Sequence, residues 1–108
     1  MDFPTNLNFG KRAMEMLNGI AEFGKSEDGE TRLLYSQEWL GAQNYIKNCL
    51  ESEGLEAYFD DIGNLFGRLE GTECKNEVIL TGSHIDTVKN GGILDGQYGI
   101  VAGVIAMD

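Results

Sequence analysis

Apolar positions near the start of the chain recur at helical spacing: Phe9, Ala13, Leu17, Ile20 and Ala21 share one face, through about residue 23. Gly24 is a natural stop. Residues 25 to 31 are polar around Gly29 and read as a loop. A second helix is predicted over residues 37 to 53, with Ser36 as its cap and Gly54 at its end. Its apolar stripe is Trp39, Ala42, Ile46, Cys49 and Leu50, so Trp39 and the nearby Tyr45 are read as core rather than ligand-binding residues. Leu55 to Asp60 alternates as a strand, Ile62-Gly63-Asn64 turns, and Leu65 to Leu69 returns, which predicts a hairpin. Glu77-Val78-Ile79-Leu80-Thr81 is a nearly continuous β-branched and aliphatic run, the pattern of a strand buried on both faces, ended by Gly82. From Gln97 an apolar helix begins, with Gly99, Ala102, Gly103 and Ala106 forming a small-residue face suited to close packing on that strand. Two helices, a hairpin, a buried strand, a loop and a helix make an α/β order.

Composition narrows the partners. At 108 residues and 42% hydrophobic content the chain can form one domain with a core. A net charge of −10 repels phosphate, so neither nucleic acid nor an anionic membrane surface is an expected partner. A solvated acidic surface is the simpler reading of that charge. Cys49 and Cys74 follow no metal-like or disulfide spacing, which fits reduced thiols and a cytoplasmic location. Residues 1 to 6 lack the basic and apolar regions of a secretion signal, so none is expected. The longest apolar stretch, residues 100 to 107, is too short to span a bilayer.

The candidate chemistry lies between the last strand and the last helix. Gly82-Ser83-His84-Ile85-Asp86-Thr87-Val88 sets the sole histidine at a strand's C-terminal end, where ligands collect in open α/β sheets. In an extended chain His84 and Asp86 point to the same side. Asp86 then suits the carboxylate that accepts a ligating histidine's second N–H, more than it suits a direct ligand. Asp95 follows after Gly91-Gly92, a pair able to adopt positive φ and fold the loop back toward the strand end. A shell of nitrogen and oxygen suits zinc or manganese better than calcium or magnesium. On spacing alone a second reading stands beside this one: a surface histidine followed by an ordinary Asp-Gly turn. His84 and Asp95 cannot close a site by themselves.

These residues, with Asn90-Gly91-Gly92 and Leu94-Asp95-Gly96-Gln97, resemble the metal-site signature of the two-metal amidohydrolases that include N-carbamoyl-L-amino acid hydrolases and allantoate amidohydrolases. Upstream, Thr31 to Ser36 with Glu38-Trp39-Leu40, and Phe59 to Leu69, resemble the allantoate branch in particular. The resemblance covers roughly residues 27 to 103. It implies the N-terminal part of a metallopeptidase-like catalytic domain, with later catalytic and dimerisation segments absent from residues 1–108. It further implies that His84 binds the first metal, Asp95 bridges two divalent ions (manganese or zinc), and Asp86 serves catalysis by steering the histidine. A cis Asp95–Gly96 peptide is also implied. The paired glutamates and further histidines of the family would lie beyond Asp108, and the last helix reads as a cut.

The resemblance thus implies hydrolysis of the ureido C–N bond of allantoate, to ureidoglycine, ammonia and carbon dioxide. An N-carbamoyl-L-amino acid is the alternative small-molecule substrate. For these residues alone no turnover is expected. Two other readings stay open: a non-catalytic fragment that self-associates, as a homodimer or otherwise, and a mononuclear module using His84, Asp86 and Asp95. Asn64 and Arg68 are assigned to turn chemistry and a solvated strand face, and the sequence gives Thr31 and Arg32 no chemical role.

Overall fold

A computed structural model describes residues 9 to 107, so the first six residues, on which the secretion-signal expectation rests, lie outside it. Its elements in chain order are α1 (Phe9–Ala21), β1 (Lys25–Ser26), β2 (Gly29–Glu30), α2 (Gln37–Ser52), β3 (Glu56–Phe59), β4 (Leu65–Arg68) and α3 (Gln97–Ala106). The residues expected to form a loop at 25 to 31 instead contain the short antiparallel pair β1–β2, with Ser26 Oγ donating to Gly29 O at 2.9 Å.

The start and stop of α2 follow its sequence signals. Ser36 is extended (φ −76°, ψ 168°) and its hydroxyl accepts from Trp39 N at 3.1 Å, which satisfies one of the helix's unpaired amides. At the other end Gly54 takes φ +82°, Gly54 N donates to Glu51 O and Leu55 N to Leu50 O, which together form a Schellman motif. Leu50 and Leu55 are both buried in the core, the apolar contact that accompanies this motif.

The core lies where the three helices meet. Leu17 and Ile20 of α1, Ala42, Ile46 and Leu50 of α2, and Val101, Val104 and Ile105 of α3 are its main members, with Leu55 and Ile85 added from connecting segments. Burying a leucine or isoleucine stabilises the fold by about 1.5–3 kcal/mol relative to exposure. The β3–β4 hairpin pairs Glu56 with Arg68 through Phe59 with Leu65 and packs on α2, Gly67 allowing Leu50 to approach its backbone. Asp60 closes the turn: its carboxylate accepts from Ile62 N, Asn64 N and Asn64 Nδ2. Asn64 therefore serves the turn and Arg68 pairs with Glu70 on the surface, as read from sequence. Trp39 and Tyr45 pack against the core.

The buried strand at 77–81 is not found. Residues 77–81 lie outside any strand and are exposed, with Ile79 fully so and Val78 and Leu80 at 71% and 77%. A two-faced apolar strand needs neighbours on both edges and both faces. Neither of the sheets among the described residues, β1–β2 and β3–β4, includes it. Its continuation does meet α3 as the small-residue face anticipated: a side chain at Gly99 would collide with Ser83, and one at Gly103 would press on Thr81. Ile85 then turns into the core at 5% exposure. No helix among the described residues is long and apolar enough to cross a membrane.

Candidate metal centre

The segment from Thr81 to Gln97 connects the face of α3 with its own N-terminus. Ile85 points into the core, so its neighbours His84 and Asp86 point the other way, as the two-residue period requires. His84 Nδ1 lies 3.2 Å from Asp86 Oδ1 and 3.1 Å from Asp86 O. With Nδ1 committed to Asp86, Nε2 is the nitrogen that can ligate, the arrangement that fixes a histidine ligand's tautomer. Both side chains are about half exposed, so the ring is reachable.

Asp95 stands in the turn before α3 and is exposed. Its neighbour Gly96 has φ +77° and ψ −43° and backs directly onto the His84 ring. The backbone beside Asp95 therefore touches the imidazole. Even so, among the described residues no three His, Cys, Asp or Glu side chains are grouped closely enough to hold a metal ion. The structure brings His84 and Asp86 together and sets Asp95 on the adjoining turn. Two expectations about this loop are corrected. Positive φ occurs at Asn90 (56°) and Gly96, not at Gly91-Gly92. No peptide among the described residues is cis, Asp95–Gly96 included. Gly96 makes the turn with φ +77° and a trans bond.

An imidazole with one ring nitrogen turned to a carboxylate, and a second carboxylate on the next turn, are donor types that a divalent ion such as zinc or manganese takes. A cleft of about 620 Å³ opens beside His84 and Asp86, walled by Trp39, Ile62, Leu80 and Ile100 among others.

Behind the loop lies a cluster that sequence reasoning missed. Arg32 is fully buried, and its guanidinium donates to Ile85 O (2.7 Å), Ile20 O (3.0 Å), Phe23 O (2.7 Å) and Glu30 Oε2 (3.2 Å). Burial pulls its pKa below the ordinary arginine value, opposed first by Glu30 and then by Asp86. The guanidinium still remains charged at any working pH. Glu30 Oε2 also accepts from Gln97 Nε2 at 2.8 Å. The available signal was the period of two that puts Glu30 and Arg32 on one side of an extended segment.

Comparison with known proteins carries the identification. No family model matches the chain. It is 53% identical over 94 residues to an allantoate amidohydrolase of Bacillus subtilis (strain 168), an alignment covering 86% of this chain and 23% of that protein. Against an allantoate amidohydrolase of Escherichia coli (strain K12) it is 51% identical over 102 residues, covering 94% and 25%. An N-carbamoyl-L-amino acid amidohydrolase of Geobacillus stearothermophilus is 42% identical over 96 residues, with 88% and 24% covered. A crystal structure of a hydantoinase/carbamoylase family amidase from Burkholderia ambifaria superposes with a TM-score of 0.83 at 31% identity, covering 88% of this chain and 24% of that one. By sequence and by fold, these residues belong to the hydantoinase/carbamoylase family of amidohydrolases. The chain spans about a quarter of the length of the curated relatives it matches.

Proposed function

We propose that these residues form the N-terminal part of a metal-dependent allantoate amidohydrolase, hydrolysing a ureido C–N bond to give ureidoglycine, ammonia and carbon dioxide. The observation that carries the reading is the His84–Asp86 pair, in which Asp86 engages Nδ1 and leaves Nε2 as the nitrogen able to ligate. In this reading His84 Nε2 and the Asp95 carboxylate would hold divalent metal, with Asp95 shared between the two ions, and Asp86 would keep the imidazole in its donor tautomer. Bound divalent ions would lower the pKa of a water and polarise the ureido carbonyl. Gly96 fixes the ring plane from behind, and the cleft beside His84 gives a small ureido substrate access. Identity to the two allantoate amidohydrolases exceeds identity to the carbamoyl-amino acid enzyme, which favours allantoate over an N-carbamoyl-L-amino acid.

Ammonia release from a polypeptide carrying these residues at its relatives' full length, loaded with manganese or zinc, tests the reading. Turnover of allantoate that disappears in Asp95→Ala is expected. Activity confined to N-carbamoyl amino acids moves the assignment to that branch, and activity indifferent to His84→Ala removes it. A second reading, self-association of the 108-residue chain, is favoured by one specific observation: the solvent-facing run Val78-Ile79-Leu80.

A further inference from the structure

The two halves of the candidate site, the His84–Asp86 pair and the Asp95–Gly96 turn, lie at opposite ends of one loop, and a buried polar network joins them. Arg32 Nε donates to the carbonyl of Ile85, the residue between His84 and Asp86. The same guanidinium holds Glu30, whose Oε2 accepts from Gln97, two residues past Asp95. Backbone bonds close the frame. Arg32 N donates to Thr87 Oγ1 and Thr87 N to Arg32 O, while Glu30 and Gly91 exchange both of their amide–carbonyl bonds. Glu30 and Gln97, at 1% and 0% exposure, are as buried as Arg32.

Stability alone does not account for this arrangement. A buried ion pair roughly breaks even against apolar residues of the same volume, because desolvating two charges offsets their attraction. Here Glu30 Oε1 and Gln97 Oε1 are in addition buried without a partner, a further cost. The directional bonds give something a greasy core cannot, a fixed distance between the carbonyl beside His84 and the first turn of α3. We infer that Arg32, Glu30 and Gln97 are positioning residues that set the placement of His84 against the Asp95–Gly96 turn. The inference deepens the proposed metal site and rests on that reading for its consequence, although the geometry itself can be measured without metal.

The test uses Gln97→Met, which keeps helix-forming character and volume, and Arg32→Lys, which keeps charge but loses the planar fork. Three quantities are read: Tm without metal, the nuclear Overhauser effect between the His84 ring protons and the Gly96 α-protons, and the zinc dissociation constant by calorimetry. Expected is a several-fold weaker ring-to-Gly96 effect in both variants, with zinc affinity reduced about 10–100-fold as for other groups that orient metal ligands. In Gln97→Met this should occur at nearly unchanged Tm, which separates positioning from mere support. A ring-to-Gly96 effect of wild-type strength in folded Gln97→Met overturns the inference. Absence of zinc binding by the wild-type chain, with the ring still displaced in the variants, retires the metal reading and leaves the positioning role standing.

Discussion

Gly96 lies flat against the His84 imidazole: a β-carbon there would stand 2.5 Å from Nε2 and 2.6 Å from Nδ1, closer than carbon and nitrogen can approach. The glycine also holds φ +77° and ψ −43°, near the rare classic γ-turn that other residues avoid. Two independent constraints therefore require glycine at this position. Gly96→Ala is expected to expel the ring, destabilise the fold by about 1–3 kcal/mol and weaken zinc binding at least about tenfold. Urea unfolding and calorimetry check the two effects separately.

Leu17 is wholly buried between the helices, whereas Leu94 is more than half exposed on the loop. Leu17→Ala should cost about 2–5 kcal/mol, and Leu94→Ala no more than about 0.5 kcal/mol. Equal losses in chemical denaturation would mean that the core is misplaced.

Asp60 accepts three hydrogen bonds in the β3–β4 turn, and those from Asn64, with the others in the turn, hold its carboxyl below the usual carboxylate range. A depressed folded-state value means the ionised form supports the turn above the unfolded pKa, and that support is lost as pH falls through the folded value. The amide resonances of Ile62 and Asn64 should hold steady down to the ordinary aspartate range and shift only below it. Movement centred above that range would contradict the turn geometry.

Cys49 sits half-buried on α2, and desolvation raises its thiol pKa, while Cys74 is exposed. Only the thiolate reacts. Iodoacetamide at pH 8 should therefore label Cys74 first and Cys49 slowly, with mass spectrometry reading the order.

Much of the fold was legible because its signals are local. Ser36 and Gly54 bound α2 as their chemistry requires, Asp60 to Asn64 turns the hairpin, and Gly99 and Gly103 meet the segment at 81 to 83. The run at 77 to 81 failed as a buried strand because its burial depends on neighbours that are not among these elements. Arg32 and Glu30 stayed unread for a related reason. Ile85 and Gln97, which complete their network, are more than fifty residues away, and the period of two that sets Glu30 beside Arg32 does not say that the pair is buried. His84 and Asp86 were legible from their spacing, whereas the closeness of the Asp95 turn depends on Gly96 rather than on the expected Gly91-Gly92 pair.

The exposed Val78-Ile79-Leu80 run should drive concentration-dependent association of the 108-residue chain, reduced by Ile79→Lys. Sedimentation velocity reads this directly. A clean monomer at high concentration would remove the self-association reading.

The ring nitrogens of His84, the sole histidine, test the metal centre most directly. In a zinc titration followed by ¹⁵N chemical shifts, Nε2 should move on binding while Nδ1 stays protonated toward Asp86, with affinity at least about tenfold weaker in Asp95→Ala. Ring nitrogens that do not respond at saturating zinc, or an Asp95→Ala variant that binds as tightly as the wild type, would contradict the account.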